Sequence, residues 1–150
     1  MSSLYVRQQV LDFLAAEIPA EKVIDLTGAY QEIKELVAHA GLTDKDPWLG
    51  IEFIGNSEQP ITVGSDNEKG KYRELGAVYF HIVGIAKLGG SGSILTRGEA
   101  IRNLFRGRRL GTMIVESMTP LNTQSGATLE FKGGYMSASF ILSYLNDLDL

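Results

Sequence analysis

Residues 73–86, RELGAVYFHIVGIA, decide the fold. From Leu75 to Ala86 there is no Asp, Glu, Lys or Arg. Val78, Tyr79, Phe80, Ile82, Val83 and Ile85 are β-branched or aromatic, the side chains that fit a pleated surface. Both parities are apolar, which predicts a central strand covered on both faces. His81 stands in the middle of that run.

Working outward, GGSGS at 89–93 leads into a helical pattern. Thr96 and Glu99 have the T-x-x-E spacing of a capping box, so the helix is expected over 96–106. Ile101, Leu104 and Phe105 supply its apolar stripe. Toward the C-terminus, 112–119 (TMIVESMT) and 128–131 read as strands, with a turn at Gly133-Gly134. Residues 135–145, YMSASFILSYL, alternate. Met136, Ala138, Phe140, Leu142 and Tyr144 share one parity, and Ser137, Ser139 and Ser143 share the other. One apolar and one polar face predict an antiparallel strand. The closing NDLDL reads as an exposed acidic tail.

Toward the N-terminus, Val6, Val10, Phe13 and Leu14 recur at helical spacing over 3–17. Ser3 is placed to cap that helix, and Pro19 to stop it. Lys22–Leu26 predicts a short strand, Tyr30–Ala40 a helix stopped by Gly41, Asp44–Pro47 a turn and Trp48–Ile54 a strand. Residues 55–71, GNSEQPITVGSDNEKGK, are polar and rich in glycine. They predict a long exposed loop with a brief strand at 60–63, of the length that usually serves a contact. Closely spaced strands broken by few helices give α+β, a mainly antiparallel sheet packed against two or three helices.

The chain has 150 residues, 44% of them hydrophobic and 21% charged, which suits one domain spanning 1–150 and able to bury a core. The absence of cysteine excludes disulfides, thiolate catalysis and cysteine-ligated zinc. A net charge of −4 argues against non-specific duplex DNA binding by the chain as a whole. MSSLYVRQQVLDFL lacks the pattern of a signal peptide, and no apolar run approaches the ~20 residues of a membrane span. Synthesis in a cytoplasm is expected.

The motifs do not assemble an enzyme. Strand, glycine loop and helix is the order of a phosphate cradle, but no Lys-Ser/Thr pair follows Gly89–Ser93. Leu95 also occupies the place of the third glycine of G-x-G-x-x-G. His39 and His81 have no histidine neighbour in sequence, and His81 reads as a core or sheet-face residue with a satisfied ring nitrogen. Asp44 and Asp46 begin like a calcium loop, which Pro47 and Trp48 break. No G-x-S-x-G elbow occurs. The remaining signal is charge. Arg97, Arg102, Arg106, Arg108 and Arg109 are five of the 14 basic residues in one 13-residue window. They read either as a solvated helix end or as a patch for carboxylates or phosphates.

Residues 72–105, YRELGAVYFHIVGIAKLGGSGSILTRGEAIRNLF, resemble the central segment of tailed-phage tail terminator (tail completion) proteins. The carrying positions are Arg73, Gly76, Gly89, Gly90, Gly92, Leu104 and Phe105. The first helix, the Trp48–Ile54 strand with its polar loop, and the final strand follow in matching order. The resemblance implies a ring, usually a hexamer. Such a ring caps the tail tube, ends its polymerisation and offers a docking surface to the head connector or stopper. Genomic DNA passes through the lumen without sequence reading, and the virion tail or neck is the location.

The implied mechanism is binding, with no catalytic residue, cofactor or metal. On that reading Glu58, Asp66, Lys69, Lys71 and Arg73 belong to a segment that orders against the tube or a neighbouring subunit. Arg102, Arg106, Arg108 and Arg109 form an inter-subunit or lumen-facing patch. The alternatives are another neck component, such as a head-completion stopper, and a small cytosolic nucleotide-binding protein using Gly89–Ser93.

Overall fold

The computed structural model describes residues 3–28, 33–42, 46–60, 71–85, 92–123 and 135–149. Among the described residues three helices, α1 (Leu4–Glu17), α2 (Ile33–His39) and α3 (Gly92–Phe105), accompany six strands. The strands are β1 (Val23–Asp25), β2 (Trp48–Pro60), β3 (Lys71–Ile85), β4 (Arg109–Leu110), β5 (Met113–Met118) and β6 (Tyr135–Asp149). They form one sheet in the order β1-β2-β3-β6-β5-β4. Among the described strands the β1–β2 pairing alone is parallel. The α+β, mainly antiparallel expectation therefore holds, and β3 lies inside the sheet between β2 and β6.

The alternation of side chains sorts the sheet into two faces. The inner face presents Leu49, Ile51 and Phe53 from β2, Val78, Phe80 and Ile82 from β3, and Ala138, Phe140 and Leu142 from β6. Val6, Val10 and Leu14 of α1 and Ile94, Ile101 and Phe105 of α3 close over it. Phe80 and Phe140 are register partners, stacked with centroids 4.7 Å apart. Phe105 tilts onto Phe80 at 5.1 Å, and Phe13 meets Phe105 edge-on at 5.0 Å. This aromatic chain ties sheet to helix layer, with pair geometries that add to simple burial. A smaller cluster, Ile24, Leu26, Val37, Trp48 and Val83, covers one end of the outer face.

Ser3 caps α1, its Oγ accepting from the Val6 N–H at 3.4 Å. Gly41 follows α2 at φ +78, the left-handed conformation that ends helices at glycine.

Four expectations need correction. β2 runs on to Pro60 and β3 begins at Lys71, so 55–60 and 71 are strand, not loop. Their pairing survives the polar sequence because backbone hydrogen bonds, not side-chain burial, sustain it. The register absorbs Asn56 as a bulge. Second, α3 starts at Gly92, so Thr96 lies within the helix and is not its cap. Third, NDLDL is not a free tail: 146–149 continue β6, and Asn146 is fully buried. Fourth, Arg109–Leu110 form a short edge strand that the sequence reading left out. The strands expected at 60–63 and 128–131 and the Gly133-Gly134 turn fall wholly or largely outside the described residues. So do Asp44 and the Gly89-Gly90 part of the glycine loop.

Candidate assembly surfaces

The arginine window divides in two. Arg97 points inward. Its Nε and Nη2 donate to Glu21 at 2.7 and 3.0 Å, and its guanidinium also reaches the Val83 and Trp48 carbonyls. It locks the β1 approach to α3. Arg102 is 9% exposed. Nε donates to the Thr119 carbonyl at 3.0 Å, Nη1 to Glu99, and the plane lies over Phe140. Glu99, expected as a capping partner, is instead the counterion of Arg102. A fork with five donors suits such multi-point fastening. Arg102 thus does not belong to an exposed patch in the isolated chain.

Arg106, Arg108 and Arg109 are exposed where α3 hands over to β4. Arg108 lies 5.3 Å over the Phe13 ring and donates Nε to the Leu104 carbonyl at 3.0 Å, closing the α3 C-terminus. Among the described residues Arg106 and Arg109 form no direct ion pair, although the charge of Arg109 helps hold the Asp147 carboxyl down. The structure therefore brings together three of the four arginines expected to act together.

The second group lies at the far end of β2 and β3. Glu58 is exposed and sits opposite Glu74 in register. Arg73 pairs with Asp147 across β3 and β6, with Nε to Oδ1 at 2.7 Å and Nη2 to Oδ2 at 3.1 Å. That hydrogen-bonded pair holds the Asp147 carboxyl below its ordinary range and the guanidinium above its own. Lys71 opens β3 beside them. Asp66 and Lys69 lie outside the described residues. Sequence reasoning missed Asp147, because its partner stands 74 positions away.

His81 is 1% exposed on the outer sheet face. Nε2 is 2.9 Å from Glu52 Oε1 and Nδ1 is 2.8 Å from the Ser139 hydroxyl. A carboxylate only accepts, so Nε2–H donates to Glu52, and in the neutral ring that burial favours Nδ1 accepts from the Ser139 hydroxyl. Both ring nitrogens are satisfied, where the sequence reading expected one. Burial pushes the imidazole pKa down, opposed by the hydrogen bond and charge of Glu52.

With the folded value below the ordinary 6.5, the unfolded chain binds the proton first as pH falls. Stability should therefore decline as pH drops below about 6.5, until the folded value is passed. Urea melts at pH 7.5 and 5.5 test this. A His81→Gln variant should lose that part of the slope, and an unchanged slope would show that His81 does not titrate on unfolding.

No known protein-family model matches the chain. No curated protein matches it either. Among solved structures, 14 chains match. One of them aligns over 94% of this chain and 89% of its own, at 14% identity and a TM-score of 0.46.

Proposed function

We propose that this chain is the ring-forming terminator of a phage tail. In that role it caps the tube at its final length and presents the surface that joins the head. The observation carrying the reading is the pair of exposed charged ends on one sheet. Arg106, Arg108 and Arg109 lie at the β4 edge, and Glu58 lies on β2 at the other side. A ring is built from heterologous contacts, in which one patch meets a different patch on the next copy. Opposite charges on opposite sheet margins suit that head-to-tail geometry and steer encounter. The same α+β layout, a central strand followed by α3, accompanies the sequence resemblance over 72–105.

Particles assembled without the protein test the reading. Electron microscopy should show tails of abnormal length beside filled heads. Tails of normal length with DNA-leaking heads would assign the chain to a stopper instead. A second test uses Arg106→Glu with Arg109→Glu. Both residues are exposed, so stability should change by no more than about 0.5 kcal/mol per site. Head–tail joining should fall at least about tenfold if these charges meet a carboxylate-bearing partner, the loss being about 1.4 kcal/mol or more. Normal joining by the double variant would remove the basic end from the assembly surface.

A further inference from the structure

The outer face of the sheet carries a half-buried strip, apolar in its first and third rows, that belongs to neither core cluster. It occupies three adjacent cross-strand rows. Ile114, Leu145 and Leu75 form the first, Ser117, Ser143, Ala77 and Ile54 the second, and Ile141 and Tyr79 the third. Ile54, at the margin, is 36% exposed. Two charges close the strip at diagonally opposite corners, and the mutually paired Arg73 and Asp147 continue the face beyond the first row. Arg109 extends the first row beyond Ile114, and Glu52 extends the third beyond Tyr79. Ser143 stands at the midpoint between them.

We propose that this face binds a second copy of the same chain, face to face about a two-fold axis. An axis in the plane of contact, perpendicular to the Arg109–Glu52 diagonal, lays each Arg109 over the partner's Glu52. The apolar rows meet between the two ion pairs. Strands then cross steeply, within the orthogonal class of sheet packing. A second copy is the occupant because the surface is its own electrostatic complement. Glu52 keeps one oxygen on His81 and stays 34% exposed. Pairing through the β2 edge is disfavoured, since the bulge at Asn56, together with Glu58 and Pro60, blunts that margin.

Three short rows of mostly half-buried side chains offer a small contact, so the dimer is weak and its Kd lies in the high micromolar range. A two-fold contact uses one face twice and cannot by itself propagate into a ring. It is a resting form that opens before cyclic assembly, and it stands or falls apart from the tail-terminator reading.

Sedimentation velocity of the full chain from about 10 µM to 1 mM tests it, a range that brackets the expected Kd. A concentration-dependent monomer–dimer equilibrium is expected. Arg109→Glu, on an exposed side chain, should raise Kd at least about tenfold, and Glu52→Lys added to it should recover most of the loss. Ile54→Asp should weaken the dimer independently of charge. Thermal melts confirm that each variant is folded. A monomer at every concentration overturns the proposal. So does a dimer indifferent to both Arg109→Glu and Ile54→Asp, or a double variant no tighter than Arg109→Glu alone.

Discussion

Replacing Gly76 by alanine should destabilise the chain by about 3 kcal/mol, at the upper end of ordinary overpacking costs. A Cβ at this position would sit 2.4 Å from the Tyr144 hydroxyl oxygen, 2.6 Å from its Cζ and 2.7 Å from the Ile54 carbonyl. Gly76 and Tyr144 are direct register partners on β3 and β6. The tyrosine ring lies across the glycine, the arrangement in which an aromatic side chain covers the gap left by a missing neighbour. Tyr144 is 1% exposed and cannot swing outward, and the Ile54 carbonyl is held in the β2–β3 ladder. The clash therefore moves a buried aromatic ring and two strands together.

At roughly 2–4 °C per kcal/mol for a chain of this size, the melting temperature should fall by about 6–12 °C. Gly50→Ala is the comparison. Its Cβ would meet Trp48 Cζ3 at 2.8 Å and Leu26 Cδ1 at 2.9 Å, both side-chain atoms, so that site has more room to give. Melting Gly76→Ala within 2 °C of the parent chain, about half a kcal/mol, would refute the packing account of this glycine.

What the sequence disclosed follows what each segment buries. The 73–86 run was legible because β3 is flanked by strands on both sides and covered on both faces at its His81–Val83 end. α1 was legible because Val6, Val10 and Leu14 form one buried stripe. Residues 55–60 were not, because they extend β2 where there is little core to meet. Their side chains are polar and largely exposed while the backbone still pairs.

The α3 boundary misled for a different reason. T-x-x-E is a local pattern, and Glu99 was claimed by Arg102, one turn further along. Of the assembly candidates, Arg106, Arg108 and Arg109 were readable as a cluster. That Arg97 and Arg102 are structural was not, since their acceptors, Glu21 and the Thr119 carbonyl, become neighbours only through the fold. The apolar strip on the outer face also escaped notice. Ser137, Ser139 and Ser143 marked that parity of β6 as polar, although Ile141 and Leu145 share it. Ser137 and Ser139 are themselves buried.

Glu74→Leu should cost about 3 kcal/mol, because it removes a charged acceptor shared by three donors at a nearly buried point. Glu74 is 4% exposed on the inner face of β3. Oε1 accepts from the Ser3 N–H at 2.7 Å and from the Tyr144 hydroxyl at 3.2 Å, and Oε2 accepts from the Ser3 hydroxyl at 2.9 Å. The carboxylate faces the positive end of the α1 dipole, so its charge and its hydrogen bonds act in the same direction. It is the fastening by which a helix at the start of the chain is registered on a strand 71 positions later.

Leucine matches the volume approximately and removes the acceptor of all three donors, of which the Tyr144 hydroxyl is buried and the two on Ser3 are half-buried. Glu74→Gln retains one carbonyl acceptor and no charge, so it should cost about half as much, near 1.5 kcal/mol. Ser3→Ala, which removes the cap hydroxyl but leaves the Ser3 N–H to Oε1, should cost about 1 kcal/mol. The order Leu, Gln, then the Ser3 change separates the carboxylate's contribution from that of the cap. Hydrogen exchange adds a spatial test: protection in the first turns of α1 should fall before that of β3 and β6. Equal stability of Glu74→Gln and the parent chain would mean that neither charge nor the second acceptor matters. The single acceptor that glutamine keeps would then be enough to register α1 on β3.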